Sequence, residues 1–473
     1  MFRSVRARLV TGLMLGAVLL STAAAPATAA SQTRWVDNDN NPGDGPAACN
    51  NANFSSIQAA INASSAWDKV HVCPGTYDEQ VTINKRGLQV RSLPTKGAKI
   101  VPPAEAESVD DMTALGRITA RQVSLVGFKL IFQDRNPVGP PVEAQPCTQF
   151  DGAIVADAPH ARVYSNLIKT TGDYTYSGDC GYLTGIVLGS DTLSGPAGFA
   201  SASFDGDTSV VAHNRVADFK YIGIGVGGDR SARVYSNKIR YVHANDPSTC
   251  VVTPVLGIQG LTAAPSLSYP CELTLTGIPQ SLVVLPFSVG IGVAGALVDL
   301  RKNSVYSTLD VELCDVFFEF CPNVLGVGIG MLDPAPGSRV RNNTVTNTFF
   351  AVGTLQEFGG PPTVELPPAP DGVQFTGNRI NENILGFFLA GSNNVFYGNR
   401  AHLNAINIFV LAGANNEFSS NDFRYHIDVD GDSADCVDET SGGGDEGTAN
   451  WWGDTNWGYD NYPSNICTAP FII

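Results

Sequence analysis

Apolar and polar residues alternate at period two along much of the chain, and the alternation returns in short related units. These read ARVYSNLI (161–168), VVAHNRV (210–216), ARVYSNKI (232–239), VDLRKNSV (298–305), SRVRNNTV (338–345), VQFTGNRI (373–380), NNVFYGNR (393–400) and NNEFSSND (415–422). Each carries an asparagine: Asn166, Asn214, Asn237, Asn303, Asn343, Asn378, Asn399 and Asn421. Two residues on stand Ile168, Val216, Ile239, Val305, Val345, Ile380, Ala401 and Phe423, all apolar. Directly after the asparagine stand Leu167, Arg215, Lys238, Ser304, Thr344, Arg379, Arg400 and Asp422, mostly polar. On a strand, this order turns the asparagine and its second neighbour inward and the residue between them outward. Helical repeats would need apolar spacings of three and four, which the units lack.

The asparagines are 48, 23, 66, 40, 35, 21 and 22 residues apart. A repeat near 22 explains the short intervals, and the long ones hold cysteines or the proline-rich GGPPTVELPPAPDG (359–372). Short strands at a constant period, without helices between them, predict a solenoid of stacked parallel coils interrupted by loops. An inward asparagine at each turn would then bond to the asparagine of the next coil, satisfying amides that are costly to bury unpaired. These asparagines are therefore read as scaffold.

Residues 1–30 are set apart from the fold. A head with Arg3, Arg6 and Arg8, an apolar run from Leu9 to Leu20 and the small residues STAAAPATAA predict an export signal cut after Ala29 or Ala30. That run is too short to span a bilayer. The longer run SLVVLPFSVGIGVAGALV (281–298) is broken by Pro286 and rich in Gly and Val, which predicts two buried strands. The formal net charge of −16 becomes more negative once the three arginines leave with the signal. Such a surface repels nucleic acid and anionic membranes, and a polyanionic ligand would need a local basic patch or bridging cations. All ten cysteines lie beyond the signal, none in a Cys-x-x-Cys pair, which favours disulfides over metal or redox sites. Pairing in chain order is expected: Cys49 with Cys73, Cys147 with Cys180, Cys250 with Cys271, Cys314 with Cys321 and Cys436 with Cys467.

The stretch FSSIQAAINASSAWDKVHVCPGTYDEQVTI (54–83), followed by the asparagine units, resembles the start of right-handed parallel β-helix proteins of the pectin-lyase-like group. The 373–422 repeats resemble the NosD-like repeats of that group, which process copper. The resemblance implies an all-β, single-stranded right-handed parallel β-helix over roughly 50–470, with an N-terminal helical cap and disulfide-braced loops. Phe54, Ile57 and Ile61 recur near helical spacing, as the cap segment 54–64 of such proteins requires. The expected layout is a signal at 1–30 and one β-helix domain at 31–473, closed by a C-terminal cap at 427–473. Members of the group split acidic polysaccharides, hydrolyse them or only bind them. Glycoside hydrolysis uses paired carboxyl groups, but Asp110–Asp111 stands in ESVDDMTAL (107–115) without the flanking motifs, and no esterase pattern is present.

A lyase needs a base and a cation to stabilise an enolate. Lys220 and His243 each lie six residues after a marker asparagine, so they should neighbour each other, with Asp218, Arg240 and Tyr241 on nearby turns. The same residues would suit a solvated face. Outward Arg215 with Lys238, and Arg379 with Arg400, could hold sugar carboxylates or simply solubilise the surface. Aspartates in DVDGDSADCVD (Asp428, Asp430, Asp432, Asp435, Asp438) and in DNDNNPGDG (Asp37, Asp39, Asp44) suggest calcium, although neither loop has the full twelve-residue pattern. Trp451, Trp452 and Trp457 lie with Tyr459 and Tyr462 in the tail, suited to stacking on sugars or, more simply, to covering the last coil. His402 and His426 could meet at the surface, too few for a metal site alone.

The reading is an exported monomer whose partner is a polysaccharide, with no nucleic acid, no membrane span and calcium as its cofactor. Cleavage, a structural or adhesion role, and copper maturation are alternatives, the last weakened by only four methionines.

Overall fold

In the computed structural model the units form short strands joined by tight bends, and strands of successive coils pair in parallel. The structure describes residues 30–39, 45–109, 112–133, 149–171, 181–189, 208–219, 222–227, 230–241, 272–273, 282–283, 287–307, 325–332, 334–355, 372–427, 433–453 and 455–468. Strands from Thr33–Val36 to Trp451–Trp452 make sheet A. Those from Gly75–Asp78 to Arg400–His402 make sheet B, and those from Val81–Ile83 to Asn461–Tyr462 make sheet C. The chain passes from A to B to C and climbs to the next coil, so the sheets close a right-handed parallel β-helix. The solenoid expected from the period-two pattern is the fold observed.

Strand parity fills the core. Ile168, Val216, Ile239, Val305, Val345, Ile380, Ala401 and Phe423 are fully buried, while Arg215, Lys238, Arg379 and Arg400 are exposed. Near the C-terminal end, Phe375, Phe396 and Phe418 stack coil upon coil, with centroids 4.5 and 4.9 Å apart. The run at 281–298 contributes the strand Phe287–Ala294 and the start of Leu297–Arg301. Among the described residues no helix is long and apolar enough to cross a membrane.

The bend between sheets A and B explains the asparagines. The residue before each marker is left-handed, with φ between 52 and 62° at Ser165, His213, Ser236, Lys302, Asn342, Gly377, Gly398 and Ser420. Only Gly377 and Gly398 adopt that conformation without a steric cost. The asparagine that follows is buried, and its backbone N–H and side-chain amide both donate to Oδ1 of the next marker. The column runs without a break from Asn166 through the other markers to Asn456. A second column joins Asn394, Asn416 and Asn450.

Both ends are covered. The helix Ile57–Asn62 lays Ile57, Ala60 and Ile61 on the first coil. Its free N–H groups are met by Glu79, whose carboxylate accepts from Ile57 N (2.7 Å), Gln58 N (2.9 Å) and Ser56 Oγ (2.7 Å). At the other end Trp452 is 4% exposed and stacks on Phe418 at 3.9 Å, extending the phenylalanine column. The disulfides Cys49–Cys73 and Cys436–Cys467 pin the two caps, as expected from chain order. The remaining six cysteines lie outside the described residues.

Candidate functional site

The outward face of sheet B concentrates cations. Its register carries Lys99, Lys129, Leu167, Arg215, Lys238, Ser304, Thr344, Arg379 and Arg400 up one row, and isolated bridges extend the row to Asp422 and Trp457. Neighbouring strands lie about 4.8 Å apart, so Arg215 sits against Lys238 and Arg379 against Arg400. Like charges directly opposite one another weaken a sheet. Stacking them in a chain of net charge −16 costs stability and leaves a face suited to an anion.

The row ends in a cluster of charge and aromatic surface. Asp422 occupies the slot after Asn421 that Arg400 occupies after Asn399. The Arg424 guanidinium grips it with two bonds, Nε to Oδ1 at 2.7 Å and a terminal nitrogen to Oδ2 at 2.9 Å. His402, 5% exposed, accepts from Arg400 Nε at Nδ1 (3.0 Å), which leaves the ring proton on Nε2. That nitrogen lies 2.9 Å from Asp422 Oδ1, within ion-pair distance but not aligned as a full hydrogen bond. Burial alone would raise the pKa of Asp422, but the hydrogen bonds from Arg424 and the nearby His402 ring outweigh it and hold the pKa well below the usual carboxylate range. The hydrogen bond to Asp422 pushes the Arg424 guanidinium further above its already high value.

Aromatic rings surround this pair. The Arg424 guanidinium lies 4.8 Å from the centroid of Trp457 and 5.2 Å from that of Tyr425. Tyr425 meets His402 edge-on at 5.2 Å and Tyr459 at 6.1 Å. Trp457, Tyr425 and Tyr459 are 42, 50 and 49% exposed, so they present open ring surface beside fixed charge. Such a surface can stack on the apolar face of a sugar and pair with its carboxylate.

The sequence candidates are placed unevenly. Asp218, left-handed at φ 66°, is buried and accepts from Arg240 at 2.9 Å. Tyr241 ends the strand Lys238–Tyr241, while Lys220 and His243 lie outside the described residues. Trp451 is 51% exposed but stands on sheet A, opposite Glu417, away from Trp457. Trp452 is part of the cap stack. Asp428, Asp430, Asp432 and Asp44 lie outside the described residues. Asp435 accepts from Asn407 (2.9 Å), Tyr459 N (2.6 Å) and His426 N (3.1 Å). Asp438 accepts from Thr440 N (3.0 Å), Asn450 (3.0 Å) and Trp452 Nε1 (2.8 Å). Both therefore tie the C-terminal segment to the last coils. Among the described residues no three acidic, histidine or cysteine side chains converge as a metal site. His402 and His426 engage different aspartates, Asp422 and Asp435.

Sequence reasoning placed Arg400 and Trp457 on a binding surface but passed over Asp422, Arg424 and Tyr425. The available signal was the register itself, which puts Asp422 directly above Arg400.

No protein-family pattern matches the chain, and no curated protein matches it. Several solved structures are similar. The Dettilon tailspike protein is 15% identical over 82% of this chain and 60% of its own, with a TM-score of 0.41. XylC in complex with xylose is 11% identical over 83% and 75%, with a TM-score of 0.46. The Aspergillus niger pectin methylesterase is 13% identical over 74% and 85%, with a TM-score of 0.36. The chain thus spans 60% of the tailspike's length. At that distance none of them assigns a role to any residue here.

Proposed function

We propose that this protein is an exported β-helix that binds an acidic extracellular or cell-envelope polysaccharide along the outward face of sheet B. The observation that carries this reading is the stacking of Arg215 on Lys238 and of Arg379 on Arg400, in a row that ends at the exposed ring of Trp457. A polymer laid along the stack would meet cations at intervals of one to three coils, about 5–14 Å. The open ring at the end supplies a stacking surface.

Cleavage of the bound polymer is the more specific reading. It would use the ion pair Arg240–Asp218 together with Lys220 and His243. Lys220 or His243 takes the C5 proton beside a uronate carboxylate, Arg240 steadies the enolate, and the double bond forms as the glycosidic C4–O bond breaks, the leaving oxygen taking a proton from water. The test incubates purified mature protein with acidic and neutral polysaccharides, with and without calcium. Retention by acidic polymers alone is expected, weakened in Arg379→Gln/Arg400→Gln. Unsaturated products that disappear in Lys220→Ala and His243→Ala would establish a lyase. Retention without products would make the protein a binding module, and equal indifference to acidic and neutral polymers would refute the proposal.

A further inference from the structure

A groove of about 280 Å³ lies on the other side of the molecule's first coils, where the bends from sheet C enter sheet A. Its floor is the outward row of sheet A, in which Gln89, Ser124, Arg162, Val210 and Arg233 follow one another in register. The small side chains of Ser124 and Val210 leave a hollow between longer neighbours. One wall is a column of left-handed bends at Trp67, Gly87, Gln122 and His160, with φ of 69, 70, 64 and 59°. The bends are linked by Trp67 N to Arg86 O (2.9 Å), Gly87 N to Arg121 O (3.0 Å) and Gln122 N to Pro159 O (3.3 Å).

Trp67 is the unusual member of that column. A bulky residue at positive φ is disfavoured, and such strain is retained where the surroundings impose it or function uses it. Its indole lies over Gly87, where any Cβ would collide with the ring. The Arg86 guanidinium stands 5.6 Å from the ring centroid while Arg86 Nε donates to Gln122 Oε1 at 3.0 Å. The indole is thus held in one pose with about half its surface, 51%, open to solvent. Core packing does not explain a tryptophan held in this way.

We infer that this groove is a second carbohydrate site, one that takes an oligosaccharide bearing carboxylates. The indole offers a flat apolar surface for the C–H face of a sugar ring. Arg162 and Arg233 are exposed and form no ion pair among the described residues. Asp299, opposite Arg233 in register, is held by Arg341 at 2.8 Å, and each free guanidinium presents a planar fork that fits a carboxylate. Gln89, Ser124 and the Gln122 amide, whose N–H groups remain to donate once Oε1 is taken, suit sugar hydroxyls. The lining reaches from the coil of Gln89 to that of Arg233, four strand spacings or about 19 Å, which is oligomer length rather than monomer length. The site is separate from sheet B and does not depend on it.

Titration calorimetry on the full mature chain tests this, with a glucuronate oligomer and the matching uncharged glucose oligomer as probes. The charged oligomer should bind about ten-fold more tightly than the uncharged one. Trp67→Ala, and Gly87→Ala by displacing the ring, should each weaken binding about ten-fold, while Trp67→Phe retains most of it. Arg162→Gln/Arg233→Gln should remove the preference for charge. This exposed pair decides the matter alone should a Trp67 variant fail to fold, with melting temperature as the check. Binding that survives these changes and disappears only in Arg379→Gln/Arg400→Gln would overturn the inference and leave the sheet B proposal standing. Absence of binding by the glucuronate oligomer would also overturn it. Binding lost at the groove but kept in Arg379→Gln/Arg400→Gln would support it even where sheet B is idle.

Discussion

Asn399 gives both its backbone N–H and its side-chain amide to a single atom, Oδ1 of Asn421, each at 3.0 Å. The same amide also donates to the carbonyl of Phe375 at 2.9 Å. One side chain therefore ties three successive coils at the bend. Replacing an interior member should be severe, because it strands several buried polar groups at once. Asn343→Ala is expected to cost about 3–5 kcal/mol, and Asn343→Asp should also destabilise because it loses the donors. Urea unfolding of the purified variants measures this; a loss below about 1 kcal/mol would show that the column is incidental.

The adjacent tryptophans Trp451 and Trp452 should separate cleanly. Trp452→Ala removes the stack on Phe418 and the bond to Asp438, exposing the end of the core, and should cost about 3–5 kcal/mol. Trp451→Ala, on the exposed side of the same strand, should stay within about 0.5 kcal/mol. Thermal melts of the two variants compare them directly.

Cations stacked on sheet B make a prediction that opposes stability to binding. Arg215→Gln/Arg379→Gln relieves repulsion with Lys238 and Arg400, so the melting temperature should hold or rise slightly. Retention on an immobilised acidic polysaccharide should fall, and the remaining binding should depend less on salt. An unchanged salt dependence would remove these residues from the binding face.

Asp422 gives the molecule a dependence on acid. Its folded pKa lies below the unfolded one, so the pair with Arg424 stabilises the protein fully above the ordinary carboxylate range, near pH 4. The contribution is lost as the pH falls from there through the folded value. Asp422→Asn should cost about 1–2 kcal/mol at pH 7, between the values for surface and buried pairs, and almost nothing in strong acid. The difference between wild-type and variant melting temperatures, followed from pH 7 to pH 2, should shrink steadily; a constant difference would contradict the assigned role.

The fold was legible because the coil is a local repeat. Alternation told inward Ile239 and Val345 from outward Lys238 and Thr344, and the asparagines marked the bends before any contact was known. The two cap disulfides followed from chain order. The site was harder to read, since what joins Arg400, Asp422 and Trp457 is register between coils rather than spacing within one. Asp435 and Asp438 show the opposite case, residues whose composition suggested calcium and whose carboxylates here accept hydrogen bonds from the C-terminal segment. The groove at Trp67 left no mark in the repeat pattern, because its residues come from bends 20 to 40 positions apart and Gly87 matters only through the ring above it.

From its sequence alone the protein was determined to be a parallel β-solenoid with an asparagine column, because burial parity and turn chemistry act within a few residues and survive any choice of loops. The asparagine spacing already paired Arg215 with Lys238 and Arg379 with Arg400, while the tertiary structure alone decided which outward side chains meet at the last coils and the cap, as Trp457 meets Asp422 and Arg424. That depends on how many residues each coil inserts before returning to the stack, and a charge or an aromatic ring acquires chemical meaning only from the neighbour a coil above or below it.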